Sequence, residues 1–103
     1  MISPVEFFGS DSTRAGQTGL SHWRLGNDND QPFTMHWTLS SEAGWPGFPK
    51  EGSVVVPARS TVPLDVPILV PPGTATGYYA LEMTVDDPAG GIATRPGGIT
   101  VWP

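Results

Sequence analysis

The sequence predicts an all-β domain, an antiparallel sandwich of about seven strands, and three observations carry that prediction. Twelve prolines interrupt the 103 residues so often that only Val5 to Gln31 and Gly73 to Asp87 leave room for a helix, because an interior Pro removes a helical donor and clashes with the preceding turn. Three segments alternate apolar and polar residues with the two-residue period of a half-buried strand. Between the segments lie clusters of Gly, Pro, Asn and Asp, the residues that supply turn conformations.

Taken in order, Val5 to Phe8 opens the domain, and Gly9 to Gly19, with Ser10, Ser12 and Thr13, has the composition of a turn. Leu20 to Leu25 forms the second strand and Gly26-Asn27-Asp28-Asn29-Asp30 a hairpin. From Phe33 to Ser40 the residues Phe33, Met35, Trp37 and Leu39 share one face, and Thr34, His36, Thr38 and Ser40 share the other. After the Gly44-Trp45-Pro46-Gly47 turn comes a short strand, Ser53 to Val56. A long alternation follows through Val62, Leu64, Val66, Ile68 and Val70, then the turn Pro71-Pro72-Gly73. Tyr79, Leu81, Met83 and Val85 face inward with Glu82, Thr84 and Asp86 outward, and Pro88-Ala89-Gly90-Gly91 leads to the last strand, Ile99 to Trp102.

This register predicts one core of Trp23, Leu25, Met35, Trp37, Leu39, Val56, Leu64, Val66, Ile68, Leu81, Met83 and Val85. Backbone N–H groups also alternate along a strand, so Pro63 and Pro67, which share parity, strip donors from a single side. That strand belongs at a sheet edge, where missing donors are tolerated and where they deter edge-to-edge aggregation. Pro96-Gly97-Gly98 is expected to bend or interrupt the final strand.

Size and composition bound the function. At 10.9 kDa the chain is expected to fold as one domain over residues 1–103, with a surface of roughly 5,600 Å². Apolar residues make up 38% and charged ones 15%, so a core can form although Gly and Pro fill a quarter of the positions. With no cysteine, disulfides, thiolate metal sites and a Cys nucleophile are excluded. A formal charge of −5 argues against nucleic acid and against a polybasic membrane anchor. No apolar run approaches the roughly 20 residues that span a bilayer. Met1-Ile2-Ser3-Pro4 has neither the charged nor the apolar region of a signal peptide.

A family resemblance enters through short motifs. Trp23-Arg24-Leu25-Gly26-Asn27, the Trp37 strand followed by Gly44-Trp45, Val70-Pro71-Pro72-Gly73 and Gly77-Tyr78-Tyr79-Ala80-Leu81 resemble the bacterial immunoglobulin-like accessory domains, among them glycosidase-associated modules and the adhesion-related CARDB group. The resemblance covers roughly residues 19 to 87. It implies an immunoglobulin-like sandwich, a noncatalytic role, a secreted or cell-surface setting, and partners that are neighbouring domains or a protein or glycan at the cell surface. Tyr79 stands at the tyrosine-corner position, which implies a hydroxyl bonded to backbone near the Pro71 to Thr74 turn. The Pro96-Gly97-Gly98 segment departs from the family's regular last strand. A second similarity, to PapD-like chaperone domains, runs through Leu25-Gly26-Asn27 and Pro32-Phe33, without the basic residues that anchor a client carboxylate there.

The candidate chemistry is sparse. No nucleophile stands with an evident base, there is no Gly-x-Ser-x-Gly, and Gly90-Gly91 and Gly97-Gly98 lack the Lys-Ser/Thr of a phosphate loop. His22 and His36 fall on the polar phase of their strands, as exposed or cross-strand residues. Asn27, Asp28 and Asp30, joined by Asp86 and Asp87 from a loop expected at the same pole, offer oxygen ligands for calcium; the simpler reading is turn chemistry. Trp45 and Phe48, flanked by Pro46 and Pro49, either cap the open end of the core or stack on sugar rings. Two functions of different kinds follow: a noncatalytic spacer or interaction module, with calcium as the one candidate cofactor, or a carbohydrate-binding module built on Trp45 and Phe48.

Overall fold

The computed structural model describes residues 1–103 and contains eight strands and no helix: β1 (Val5–Ser10), β2 (Thr13–Arg14), β3 (Thr18–Asn27), β4 (Phe33–Ser41), β5 (Lys50–Val56), β6 (Ser60–Leu69), β7 (Gly77–Asp86) and β8 (Ile92–Trp102). They form two sheets, of order β1-β3-β6 and β2-β8-β7-β4-β5, packed as an immunoglobulin-like sandwich. Every pairing is antiparallel except β2 with β8.

The eighth strand is half of the first. Gly9 takes a φ of 96°, a conformation that L side chains rarely adopt, and the β1–β3 register slips between Phe7 and Ser10. The chain is thereby thrown across to the other sheet, where Thr13 and Arg14 run parallel to Val101 and Trp102. The Gly9 to Gly19 segment is therefore more than a turn: it carries a strand too short to show a period. With β1 and β2 taken as one broken strand, the chain traverses the sandwich seven times, and an odd number of traverses puts its two ends at opposite poles. Met1, Ile2 and Pro4 lie beside Gly26 at one pole, whereas Trp102 and Pro103 lie beside Gln17 at the other, in a domain measuring 47 × 19 × 17 Å.

The core follows the alternation. Ten of the twelve expected side chains are buried, and Val5, Trp45, Val70, Ile99 and Val101 join them. Trp37, whose indole lies over Gly52 of the edge strand β5, and Leu64 of the edge strand β6 are only half-buried. The accessible surface, 5614 Å², is that of a close-packed domain of this mass. The buried Ser21 hydroxyl is satisfied in place: the Trp23 Nε1–H and the half-buried Ser10 hydroxyl both donate to its oxygen at 2.8 Å.

Strand β6 pairs with β3 along its whole length and with no strand on its other side, as Pro63 and Pro67 require. The last strand corrects an expectation. It is neither interrupted nor limited to Ile99–Trp102, but runs unbroken from Ile92 and pairs in constant register with β7 through Pro96, Gly97 and Gly98. Beyond β8, β2 reaches only Val101 and Trp102, so a donor lost toward that side at Pro96 breaks no ladder. The two glycines make room for aromatic rings. A Cβ on Gly97 would collide with Trp23 and Phe7 inside the sandwich, and one on Gly98 would collide with the Tyr78 ring outside it.

The Asn27 to Asp30 segment corrects another. It is a crossover between the two sheets rather than a hairpin, since β3 and β4 belong to different sheets. Asn27 is wholly buried. Its Nδ2 donates to the carbonyls of Gln31 (2.8 Å) and Val56 (3.1 Å), and its Oδ1 accepts from the Asn29 N–H, so one side chain fixes the crossover against the β5–β6 turn.

Candidate functional site

The crossover and the β7–β8 hairpin meet at one pole, as the sandwich topology requires, and Asn29 Nδ2 donates across the gap to the Pro88 carbonyl at 2.9 Å. Asp28 and Asp87 line the same crevice, of about 230 Å³. The other candidate ligands are turned to other tasks. Asn27 is committed to backbone. Asp30 accepts from Arg59 Nε and Nη2 at 2.9 and 2.7 Å, and Asp28 lies 3.5 Å from the same guanidinium. Asp86 faces His36 at 3.7 Å, and Asp87 receives the Ala89 N–H in a local turn. No three acidic or histidine side chains converge as a metal site. Arg59 is held in the left-handed conformation, φ 53°, with its N–H on the Asn29 carbonyl. Hydrogen bonding to Asp30, with Asp30 and then Asp28 adding charge attraction, raises its pKa above the usual value.

Trp45 is 7% exposed and belongs to the core. Its ring packs 5.0 Å from Tyr79 and 6.4 Å from Phe48, which is itself half-buried with Lys50 over its ring. These aromatics close the end of the sandwich, and Trp45 has no face open to a sugar. The Tyr79 hydroxyl donates to the Ala75 carbonyl at 2.6 Å, one residue beyond the Pro71 to Thr74 turn, in an exposed rather than buried bond.

The most organised polar group is one whose partners the strand pattern does not reveal. His22 lies on the outer face of β3, opposite Asp65 of β6, and its Nδ1 is 2.8 Å from the Asp65 carboxylate. Its Nε2 is 2.9 Å from Asp11, in the segment joining β1 to β2. An imidazole flanked on both nitrogens by carboxylates favours its protonated form, which donates from each. The hydrogen bond to Asp11, then that to Asp65, raise the His22 pKa, and the same contact lowers that of Asp11. With all three side chains a third or more exposed, the bridge ties strands together but presents neither an enclosed cleft nor a nucleophile. The only sequence signal for it is the polar phase of His22; the pairing with Asp11 depends on the Gly9 bulge. No protein-family model matches the chain, and no curated protein sequence matches it significantly.

Proposed function

We propose that this domain is a noncatalytic, immunoglobulin-like spacer or interaction module of a larger extracytoplasmic bacterial protein, with neighbouring domains of the same chain among its partners. The observation that supports this reading most directly is the placement of the first and last residues at opposite poles of a body 47 Å long. A domain that receives the chain at one end and returns it at the other separates whatever flanks it. Pro4 and Pro103 add stiffness at those points, since fixed φ angles restrict the swing of a junction. The surface is consistent with that reading: His22 bridges two carboxylates between chain segments, and the acidic pole is knitted by Arg59 and Asn27. The burial of Trp45 favours this reading over a sugar platform at Trp45 and Phe48.

Placing the domain between a donor and an acceptor fluorescent protein tests the spacer reading. Energy transfer should stay constant with denaturant up to the cooperative unfolding transition and then change in one step. Transfer equal to that of an unstructured linker of the same residue count, already in native buffer, would overturn the proposal.

A further inference from the structure

A sheet edge recruits further strands unless something blocks it, and the edges of this sandwich are blocked everywhere but one. On β6, Pro63 and Pro67 remove the outward donors. The Gly9 bulge ends β1 and carries the chain onto β8, where β2 covers the last residues and Pro96 lacks a donor toward the open side. Strand β5 has none of these devices. It keeps constant register with β4, from Lys50 opposite Leu39 to Val56 opposite Phe33, and no strand lies on its other side.

The ladder shows which β5 groups are open, because backbone groups alternate sides along a strand. The Glu42 N–H donates to the Ala80 carbonyl and continues the β4–β7 register, so the even residues of β4 bond to β7. Its odd residues then bond to β5, where their partners are Lys50, Gly52, Val54 and Val56. The N–H and C=O groups of Glu51, Ser53 and Val55 are left pointing outward. Pro49 and Pro57 share their parity and bracket them, so the run of open donors ends with these residues.

That run is complementary to itself. Antiparallel pairing about a two-fold axis at Ser53 sets Ser53 opposite Ser53 and Glu51 opposite Val55, and every open donor meets an open acceptor. Moving the register by two residues brings Pro57 opposite Glu51 or Pro49 opposite Val55, and bonds are lost. In the Ser53 register no like charges oppose one another, since Lys50 faces Val56. The inner side gains too. The Trp37 indole lies over Gly52, and Gly52 faces Val54 of the second copy, which packs beside the ring. Strands β5 and β6 are joined by the short turn Pro57-Ala58-Arg59 and bound the same side of the sandwich, where Val54, Val62 and Leu64 are only half-buried. A strand added at β5 extends apolar cover along that seam. We infer that β5 is the dimerisation edge of this domain and pairs with β5 of a second copy, joining two five-stranded sheets into one. The two domains then lie side by side, running in opposite directions, with all four poles free. The inference does not depend on the spacer reading, which a monomer satisfies equally.

A contact one strand wide falls below the roughly 1,200 Å² at which stable interfaces begin, so association belongs at high protein concentration. Sedimentation velocity up to about 1 mM should show a monomer–dimer equilibrium. Salt should strengthen it by screening the charge of −5 on each copy. Ser53→Pro removes the central outward donor and leaves the β4 ladder whole, so it should weaken association by about tenfold or more with the unfolding midpoint little changed. Ser53→Lys and Ser53→Asp each oppose like charges across the axis and should be monomeric, whereas an equal mixture of the two variants should associate again. A chain that stays monomeric at about 1 mM would overturn the inference. So would association that survives Ser53→Pro, or a mixture of the Lys and Asp variants that remains monomeric. An unrelated extended peptide that binds the β5 edge of a monomeric chain would assign the edge to a foreign strand instead.

Discussion

The Trp23 indole fills the space in which a side chain at position 97 would begin: a Cβ on Gly97 would lie 2.6 Å from Cη2 of Trp23 and 2.8 Å from Cδ1 of Phe7. The two aromatic rings, with centroids 4.7 Å apart, are pressed directly onto the β8 backbone, so the inter-sheet packing at this point depends on the absence of a methyl group. Gly97→Ala should cost about 1 to 3 kcal/mol by overpacking, measured by chemical denaturation. Trp23→Leu should relieve part of that cost in the double variant, because one of the two colliding rings is gone while Phe7 remains. Additive losses would show that the two positions do not share the strain.

The His22 bridge gives stability a pH window. The folded-state pKa of His22 is raised, so its contribution is fully present below the unfolded value of 6.5 and fades as pH rises through the folded value. The folded pKa of Asp11 is lowered, so its contribution is present above 3.8 and fades as pH falls through the folded value. Melting temperature followed against pH should therefore decline on raising pH past 6.5. His22→Gln should flatten that decline and also shrink the low-pH loss, because the contact with His22 is the first cause of the lowered Asp11 pKa. A decline of the same size in the variant would place its origin elsewhere.

Tyr79 should show a split between its ring and its hydroxyl. Because the bond to Ala75 is exposed, water replaces the lost donor, and Tyr79→Phe should cost no more than about 1 kcal/mol. Tyr79→Ala removes the ring that packs on Trp45 and should cost several times as much, about 3 kcal/mol or more. Equal losses in an equilibrium unfolding series would contradict this division.

At the acidic pole, Arg59 already pairs with both Asp28 and Asp30, and the Asn27 amide is spent on backbone. Millimolar calcium should leave the melting temperature of the native sequence unchanged. A ligand that binds only the folded state must raise it with occupancy, so a concentration-dependent upward shift would restore these residues as a cation site.

The degree to which the fold could be read in advance tracks how local its determinants are. The strands containing Met35 and Leu39, Val66 and Ile68, and Leu81 and Met83 follow directly from alternation, since one side of each packs on the core. Pro63 and Pro67 expose the β6 edge because a missing donor is a property of the residue itself. What escapes is what depends on a distant partner. The two residues of β2 have no period, and their pairing with Val101 exists only because Gly9 redirects the chain. Pro96-Gly97-Gly98 has the local signature of a break, yet Trp23 and Tyr78, far away in sequence, turn both glycines into seats for rings. The same holds for the sites. Trp45 can be recognised as an aromatic loop residue, but its burial depends on Tyr79 and Phe48. His22 shows its polar phase, whereas its two carboxylates come from another strand and a bulged segment.

The separation of the two ends is the most direct test of the spacer reading. With no cysteine in the chain, one placed at Ser3 and one at Trp102 can be spin-labelled without competing thiols, and their separation read by pulsed dipolar spectroscopy. A single narrow distribution comparable to the 47 Å long axis is expected, unchanged when further domains are appended. A dominant short distance, with the labels at the same pole, or a broad distribution in native buffer, would contradict the spacer reading.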